Sequence, residues 1–186
     1  SELQVSEKDE KKYSGQFVSA ALNLSKNNSS AAIIGGGDGG VARECISKGF
    51  DLIDWYELDP EVVKACYKHL PKTSAQAREN NSVKCYWGDA FESIKHVEDS
   101  KYDKIFVDLN DDQYCIDLAA KNMKSLKRIL KPGGVITAQV GCLSKKPKQV
   151  DNWIKVLSKN FGNTKLDEIF IPSFDCRWTF ASSIMD

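Results

Sequence analysis

Residues 31–40 read Ala31-Ala32-Ile33-Ile34-Gly35-Gly36-Gly37-Asp38-Gly39-Gly40, an apolar run feeding five glycines that enclose one aspartate. With Val41-Ala42-Arg43-Glu44 behind it, the stretch predicts a strand, a tight turn and a helix start. Glycine suits turn dihedrals closed to other residues and lets a ligand come close to the backbone. A helix N-terminus attracts anions, so a carboxylate in such a turn is out of place for a phosphate or dinucleotide. Asp38 therefore predicts a ligand that is cationic near the turn. That moves the reading from NAD to a sulfonium nucleoside, S-adenosylmethionine or its decarboxylated form.

Outward from the turn, strands alternate with helices. Helical spacing covers 13–24, 39–48, 90–96, 113–130 and 147–160. Asp59 and Pro60 open a further helix carrying Val62, Val63, Cys66, Tyr67 and Leu70 on one face. Strands fall at 31–35, 52–57, 83–87, 102–108 and 135–141, and 71–82 reads as polar loop with a little helix near 74–79. The apolar face of 113–130 is Ile116, Ala119, Ala120, Met123, Leu126 and Leu130, with Lys131-Pro132-Gly133-Gly134 ending it. Residues 164–171 and 176–184 read as an antiparallel pair. This is an α/β pattern: a mostly parallel, doubly wound sheet with an antiparallel C-terminal strand, binding ligands at the carboxyl ends of its strands.

A chain of 186 residues is expected to form one domain, 1–186, with 1–12 a flexible N-terminal segment. Lys+Arg and Asp+Glu are equal at 26, which gives no basic excess for nucleic acid. No apolar stretch approaches a membrane span and the polar N-terminus has no signal-peptide core, so a cytoplasmic protein is expected. The six cysteines (Cys45, Cys66, Cys85, Cys115, Cys142 and Cys176) form no C-x-x-C pair and read as free thiols in a reducing compartment. With two histidines, a His-rich metal site is not expected.

The acids fall where the sheet rule puts ligands. Asp38 follows the first strand, Glu57 and Asp59 the second, Asp89 the third, and Asp108, with Asn110, Asp111 and Asp112, the fourth. Each alone reads equally well as a turn former or helix cap, Asp59 and Asp89 above all. As a set they repel one another unless a cation or a polyhydroxyl ligand offsets them. Glu57, about 20 residues past the turn, is placed for ribose hydroxyls. Asp89 is placed for an adenine amino group, and Asp38 for a cationic tail. The Asp108–Asp111 segment lies where a second substrate enters, and two carboxylates there suit a polyamine. Trp55, Tyr56, Trp87 and Phe91 read singly as core or adenine-flanking packing rather than a cofactor box.

These motifs, in this order and from Tyr13 to the C-terminus, resemble the spermidine/spermine synthase family of aminopropyltransferases. The resemblance rests on G-G-G-D-G-G, Y-E-L-D at 56–59, W-G-D-A at 87–90, Y-D-K-I-F-V-D at 102–108, T-A-Q at 137–139 and I-P-S-F at 171–174. It implies a Rossmann-like class I methyltransferase fold. It also implies transfer of the aminopropyl group of decarboxylated S-adenosylmethionine, a co-substrate rather than a tightly bound cofactor, to an amine such as putrescine. No metal is implied. On the donor side the turn glycines Gly35, Gly37 and Gly39 would hold the nucleoside with Asp38 (ammonium), Glu57 (ribose), Asp89 (adenine) and Gln139. On the acceptor side Asp108 would be the base, Asp111 a second carboxylate, Tyr13 a catalytic residue orienting the acceptor and the attacking amine, and Phe174 part of the acceptor pocket.

The chain departs from that family in four ways. Only about a dozen residues precede Tyr13, so the family's small N-terminal β domain is expected either to be absent or to lie outside this sequence, with a homodimer or a partner chain in its place. The acceptor motif is D-L-N-D-D rather than D-S-S-D-P, the loop after it is short, and Phe174 stands where a tyrosine is usual. Two alternatives accompany the aminopropyltransferase reading: an S-adenosylmethionine-dependent amine N-methyltransferase, and a non-catalytic subunit of a larger assembly. The partners expected are a small polyamine and a sulfonium nucleoside, without nucleic acid or membrane.

Overall fold

The computed structural model describes residues 3–186. Seven strands form one sheet in the order β3-β2-β1-β4-β5-β7-β6. β1 (Ser30–Gly35), β2 (Leu52–Glu57), β3 (Val83–Trp87), β4 (Tyr102–Asp108) and β5 (Leu130–Cys142) run parallel, while β7 (Cys176–Ile184) is antiparallel to both β5 and β6 (Thr164–Ile171). The reversal of strand order between β1 and β4 opens a crevice at their carboxyl ends. Gly35 is in register with Asp108 there, and Glu57 with Trp87 on the next pair.

Helices cover both faces. α1 (Glu10–Leu24), α2 (Gly40–Ser47), α3 (Pro60–His69) and α4 (Pro71–Glu79) lie on one side, with Phe17, Val41, Val63 and Ala77 in its core. The short α5 (Ala90–Ser93), α6 (Gln113–Ile129) and α7 (Pro147–Phe161) pack on the other, around Phe91, Met123 and Trp153. Three of these helices open on an aspartate cap, the side chains of Asp59, Asp89 and Asp112 accepting from Glu61 N, Phe91 N and Cys115 N. Among the described residues no helix is long and apolar enough to cross a membrane.

Several expectations are corrected. The polar stretch 71–82 holds a full helix, because Pro71 starts it and Thr73, Ser74 and Ala77 are buried beneath it. The Lys131–Gly134 run does not end α6 in a turn: the helix stops at Ile129 and β5 begins at Leu130. Ala120 is exposed, and Val63 is the buried residue of α3. The expected flexible segment 1–12 does not hold at its end. Asp9 accepts from Ser173 N (2.7 Å) and Oγ (2.8 Å), and Glu10 begins α1 in a buried ion pair with Arg43. Ser1 and Glu2 lie outside the described residues.

The cysteines divide differently from the sequence reading. Cys142, at the end of β5, is bonded to Cys176, at the start of β7, with Cα atoms 6.2 Å apart. The antiparallel β5–β7 register brings them together, a proximity that spacing along the chain does not reveal. Cys45, Cys66, Cys85 and Cys115 are free. The bond spans 34 residues, and a loop of that size constrains the unfolded chain by about 3–4 kcal/mol. Cys142→Ser is therefore expected to lower the melting temperature in oxidising buffer. In reductant the parent and variant curves should coincide, and a gap that persists there would assign the effect to packing.

Candidate active site

The turn after β1 is built around a neighbouring carboxylate as much as around any ligand. Gly36 N donates to the Asp108 carbonyl (3.0 Å), and a Cβ on Gly36 would lie 2.8 Å from Asp108 Oδ2. Gly36 also has a φ of 68°, so a side chain there is excluded on both counts. At Gly37 a Cβ would lie 2.8 Å from Val62 and 3.2 Å from Glu57 Oε2. At Gly40 it would collide with Glu10 Oε1. The glycines thus let Glu10, Glu57 and Asp108 close onto one short loop.

The site residues fall into two groups. Around the glycine turn, Asp38 Oδ1 accepts from Gly40 N (2.7 Å), which holds the carboxylate at the start of α2. Glu57 Oε1 accepts from Asp59 N (3.0 Å), while Oε2 faces Gly37. Asp89 caps α5 through Oδ1 and is exposed at the next strand end. Trp87 is exposed beside it, whereas Trp55, Tyr56 and Phe91 are core. Trp55 is tied to Gly35 O (2.8 Å), and Tyr56 is stacked on Tyr86.

At the end of β4, Tyr13 Oη donates to Asp108 Oδ1 at 2.7 Å. Phe174 and Phe180 meet the Tyr13 ring edge-on, and Trp178 lies tilted against it. Asp111 is ion-paired with Lys146 at 3.0 Å. Gln139 stands apart from its expected donor-side role. It donates to the Leu109 carbonyl and accepts from Trp178 Nε1 (3.2 Å), so it braces the Asp108–Asp111 segment.

Three residues here escape the sequence reading. Trp178 alternates with Cys176 and Phe180 along β7, a period-two signal that would have found it. Glu10 precedes Tyr13, Ser14 and Phe17 at helical spacing, yet a charged residue reads as solvated. It is instead buried against Arg43 (2.6 and 2.9 Å), with Ser14 Oγ donating at 2.7 Å. Lys146 carries no local signal at all.

Burial and mutual repulsion dominate the electrostatics. Burial pushes Asp108 up to about 7, with the Asp38 charge adding to it and the Tyr13 hydrogen bond opposing. Burial likewise pushes Asp38 up to about 6, the Gly40 N–H opposing and Glu10 adding. Glu57 is raised by burial, and the Tyr13 hydroxyl is held protonated by burial and by Asp108. An aspartate ionising near neutrality can both hold and accept a proton, as a general base must.

The strand order, the glycine turn and the acids at the strand ends define a Rossmann-like domain of the class I methyltransferase type. The Spermine/spermidine synthase domain profile matches residues 10–185, and the chain belongs to that family. It is 34% identical over 186 residues to the polyamine aminopropyltransferase of Prochlorococcus marinus strain MIT 9215, covering 95% of this chain and 64% of that one. It is 34% identical over 182 residues to the enzyme of the same name from strain NATL2A, covering 95% and 63%. The chain thus spans about 64% of the length of the first of these relatives. Among solved structures, Thermotoga maritima spermidine synthase superposes with a TM-score of 0.89 at 22% identity, covering 98% of this chain and 62% of that one. A spermidine synthase in complex with the transition-state analogue AdoDATO superposes at 0.86, also at 22% identity.

The raised acids carry a sign. The folded state holds protons on Asp108 and Asp38 that an unfolded aspartate releases near pH 4. Stability therefore falls as pH climbs from about 4 to 7, and stays low above that. Asp108→Asn is expected to melt above the parent at pH 8, by roughly 1–3 kcal/mol after discounting for solvent, and level with it near pH 4. Thermal melts of both proteins across this range check it. A variant less stable at every pH would contradict the assignment.

Proposed function

We propose that this domain carries aminopropyl transfer from decarboxylated S-adenosylmethionine to an amine such as putrescine. The observation behind this reading is the Asp108–Tyr13 pair at the topological switch point, with Asp108 poised near pH 7 and facing a turn that already holds Asp38 and Glu57. The names of the Prochlorococcus relatives support it.

On this reading Gly35, Gly37 and Gly39 cradle the nucleoside. Glu57 accepts from the ribose hydroxyls, and Asp89 uses its uncapped oxygen toward the adenine amino group. Asp38 receives the ammonium of the aminopropyl tail. The donor's missing carboxylate matters here, because an α-carboxylate beside Asp38 would be repelled.

The acceptor enters against the ring wall of Tyr13, Phe174 and Trp178. An ammonium has no lone pair, so the attacking nitrogen first gives a proton to Asp108, whose carboxylate Tyr13 holds in place. The free amine then attacks the methylene attached to sulfur. A carbon–nitrogen bond forms as the carbon–sulfur bond breaks, and the electron pair leaves on sulfur, giving neutral methylthioadenosine. The sulfonium is already a good leaving group, so alignment and one base suffice. Gln139 keeps Leu109, and with it Asp108, in position.

Mass spectrometry of products tests this, with both the decarboxylated and the intact donor offered to putrescine, spermidine and cadaverine. The expected result is an aminopropylated amine from the decarboxylated donor, with turnover in Asp108→Asn reduced by about 10²-fold or more and methylthioadenosine binding retained. Methylated amine from the intact donor would replace this reading with N-methyl transfer. The absence of any product, with no nucleoside binding, would leave a non-catalytic domain.

A further inference from the structure

Asp111 does not face an open acceptor site. Its Oδ2 lies 3.0 Å from Lys146 Nζ, and the two side chains are 16% and 31% exposed. Gly141 fixes the carboxylate from behind, since a Cβ there would come within 2.8 Å of Asp111 Oδ2. The lysine is fixed equally well. Lys146 N donates to Cys142 O at 2.7 Å, and Lys146 O accepts from Gln149 N and Val150 N in the first turn of α7. The loop that carries it leaves β5 at the Cys142–Cys176 bond, and neighbouring Lys145 donates to the Phe174 carbonyl (2.9 Å). A cation is therefore built into the far end of the acceptor side, held on both flanks by backbone.

We propose that Lys146 determines acceptor specificity, its ammonium occupying Asp111 in the place a diamine's second ammonium would take. This rests on the transfer reading above, in which Asp108 serves the attacking nitrogen, and adds to it that Asp111 faces the distant one. A diamine must displace Lys146 from Asp111 and then sit beside a second cation. An amine with an uncharged far end meets a neutral Lys146–Asp111 pair and displaces nothing. Lys146 acts through Asp111 and touches no reacting atom, so it affects which amine is held rather than the bond made.

The test measures amine affinity by calorimetry on protein loaded with methylthioadenosine, so that binding is read independently of turnover. The probes are 1,4-diaminobutane and n-butylamine, and the variants are Lys146→Gln, Lys146→Ala and Lys146→Arg. Retained methylthioadenosine affinity shows that each variant is folded. For Lys146→Gln and Lys146→Ala, diamine affinity is expected to rise about fivefold relative to n-butylamine, the upper range for one partly exposed ion pair. Lys146→Arg should keep the parent ratio, and where transfer is measurable the change should appear in KM with kcat steady. An unchanged ratio in both neutral variants overturns the proposal, as does absence of diamine binding to every form. A changed ratio with no aminopropyl product would leave Lys146 as the discriminator and refute the transfer reading alone.

Discussion

The backbone contact between β1 and β4 governs everything at the C-terminal edge of this sheet. Asp108 is in register with Gly35 and its carbonyl accepts from Gly36 N, so the strand that bears the carboxylate and the strand that feeds the turn end at the same point. A side chain on Gly36 would push Asp108 away, and the carboxylate would lose its place opposite Asp38. Parallel strands make such convergence ordinary, because every carboxyl end opens on the same edge. Here the convergence is of like charges, held together by packing that leaves them half-buried.

Like charges fixed this close cost stability. Fixed carboxylates in a poorly hydrated crevice favour protonation, and the upward shifts of Asp108, Asp38 and Glu57 record it. Two nearby acids are paired with cations of the chain. Glu10 lies under the same turn, bracketed by Arg43 and Ser14 at the start of α1. Asp111 is matched to Lys146. On the proposed reading the raised carboxylates Asp38 and Asp108 receive the positive charge of the ligand. Strain of this kind is expected where function competes with stability.

The sequence shows the strand ends plainly. Short apolar runs followed by acid or glycine need only local pattern, and Asp38, Glu57, Asp89 and Asp108 all lie where that pattern puts them. It shows the wall less well, since Trp178 and Phe180 meet Tyr13 only after β7 reverses against β5. It hides what depends on distant partners. Nothing near Lys146 announces Asp111, and nothing near Cys142 announces Cys176. Glu10 looks like a solvated helix start until Arg43 is found beneath it. Gln139 shows the same limit: its motif survives, but its amide faces Leu109 and Trp178. Local chemistry is legible where one strand end decides it, and illegible where two remote segments must meet.

Asp38 and Asp108 are buried like charges that hold protons near neutrality, and a bound cation is expected to displace them. Calorimetric titration at pH 6.5, repeated in buffers of different ionisation enthalpy, measures proton exchange directly. Decarboxylated S-adenosylmethionine, a cation at both sulfur and amine, is expected to expel close to one proton from the site as it binds. Neutral methylthioadenosine should expel much less. Equal proton release by the two ligands, or none by either, would contradict the account.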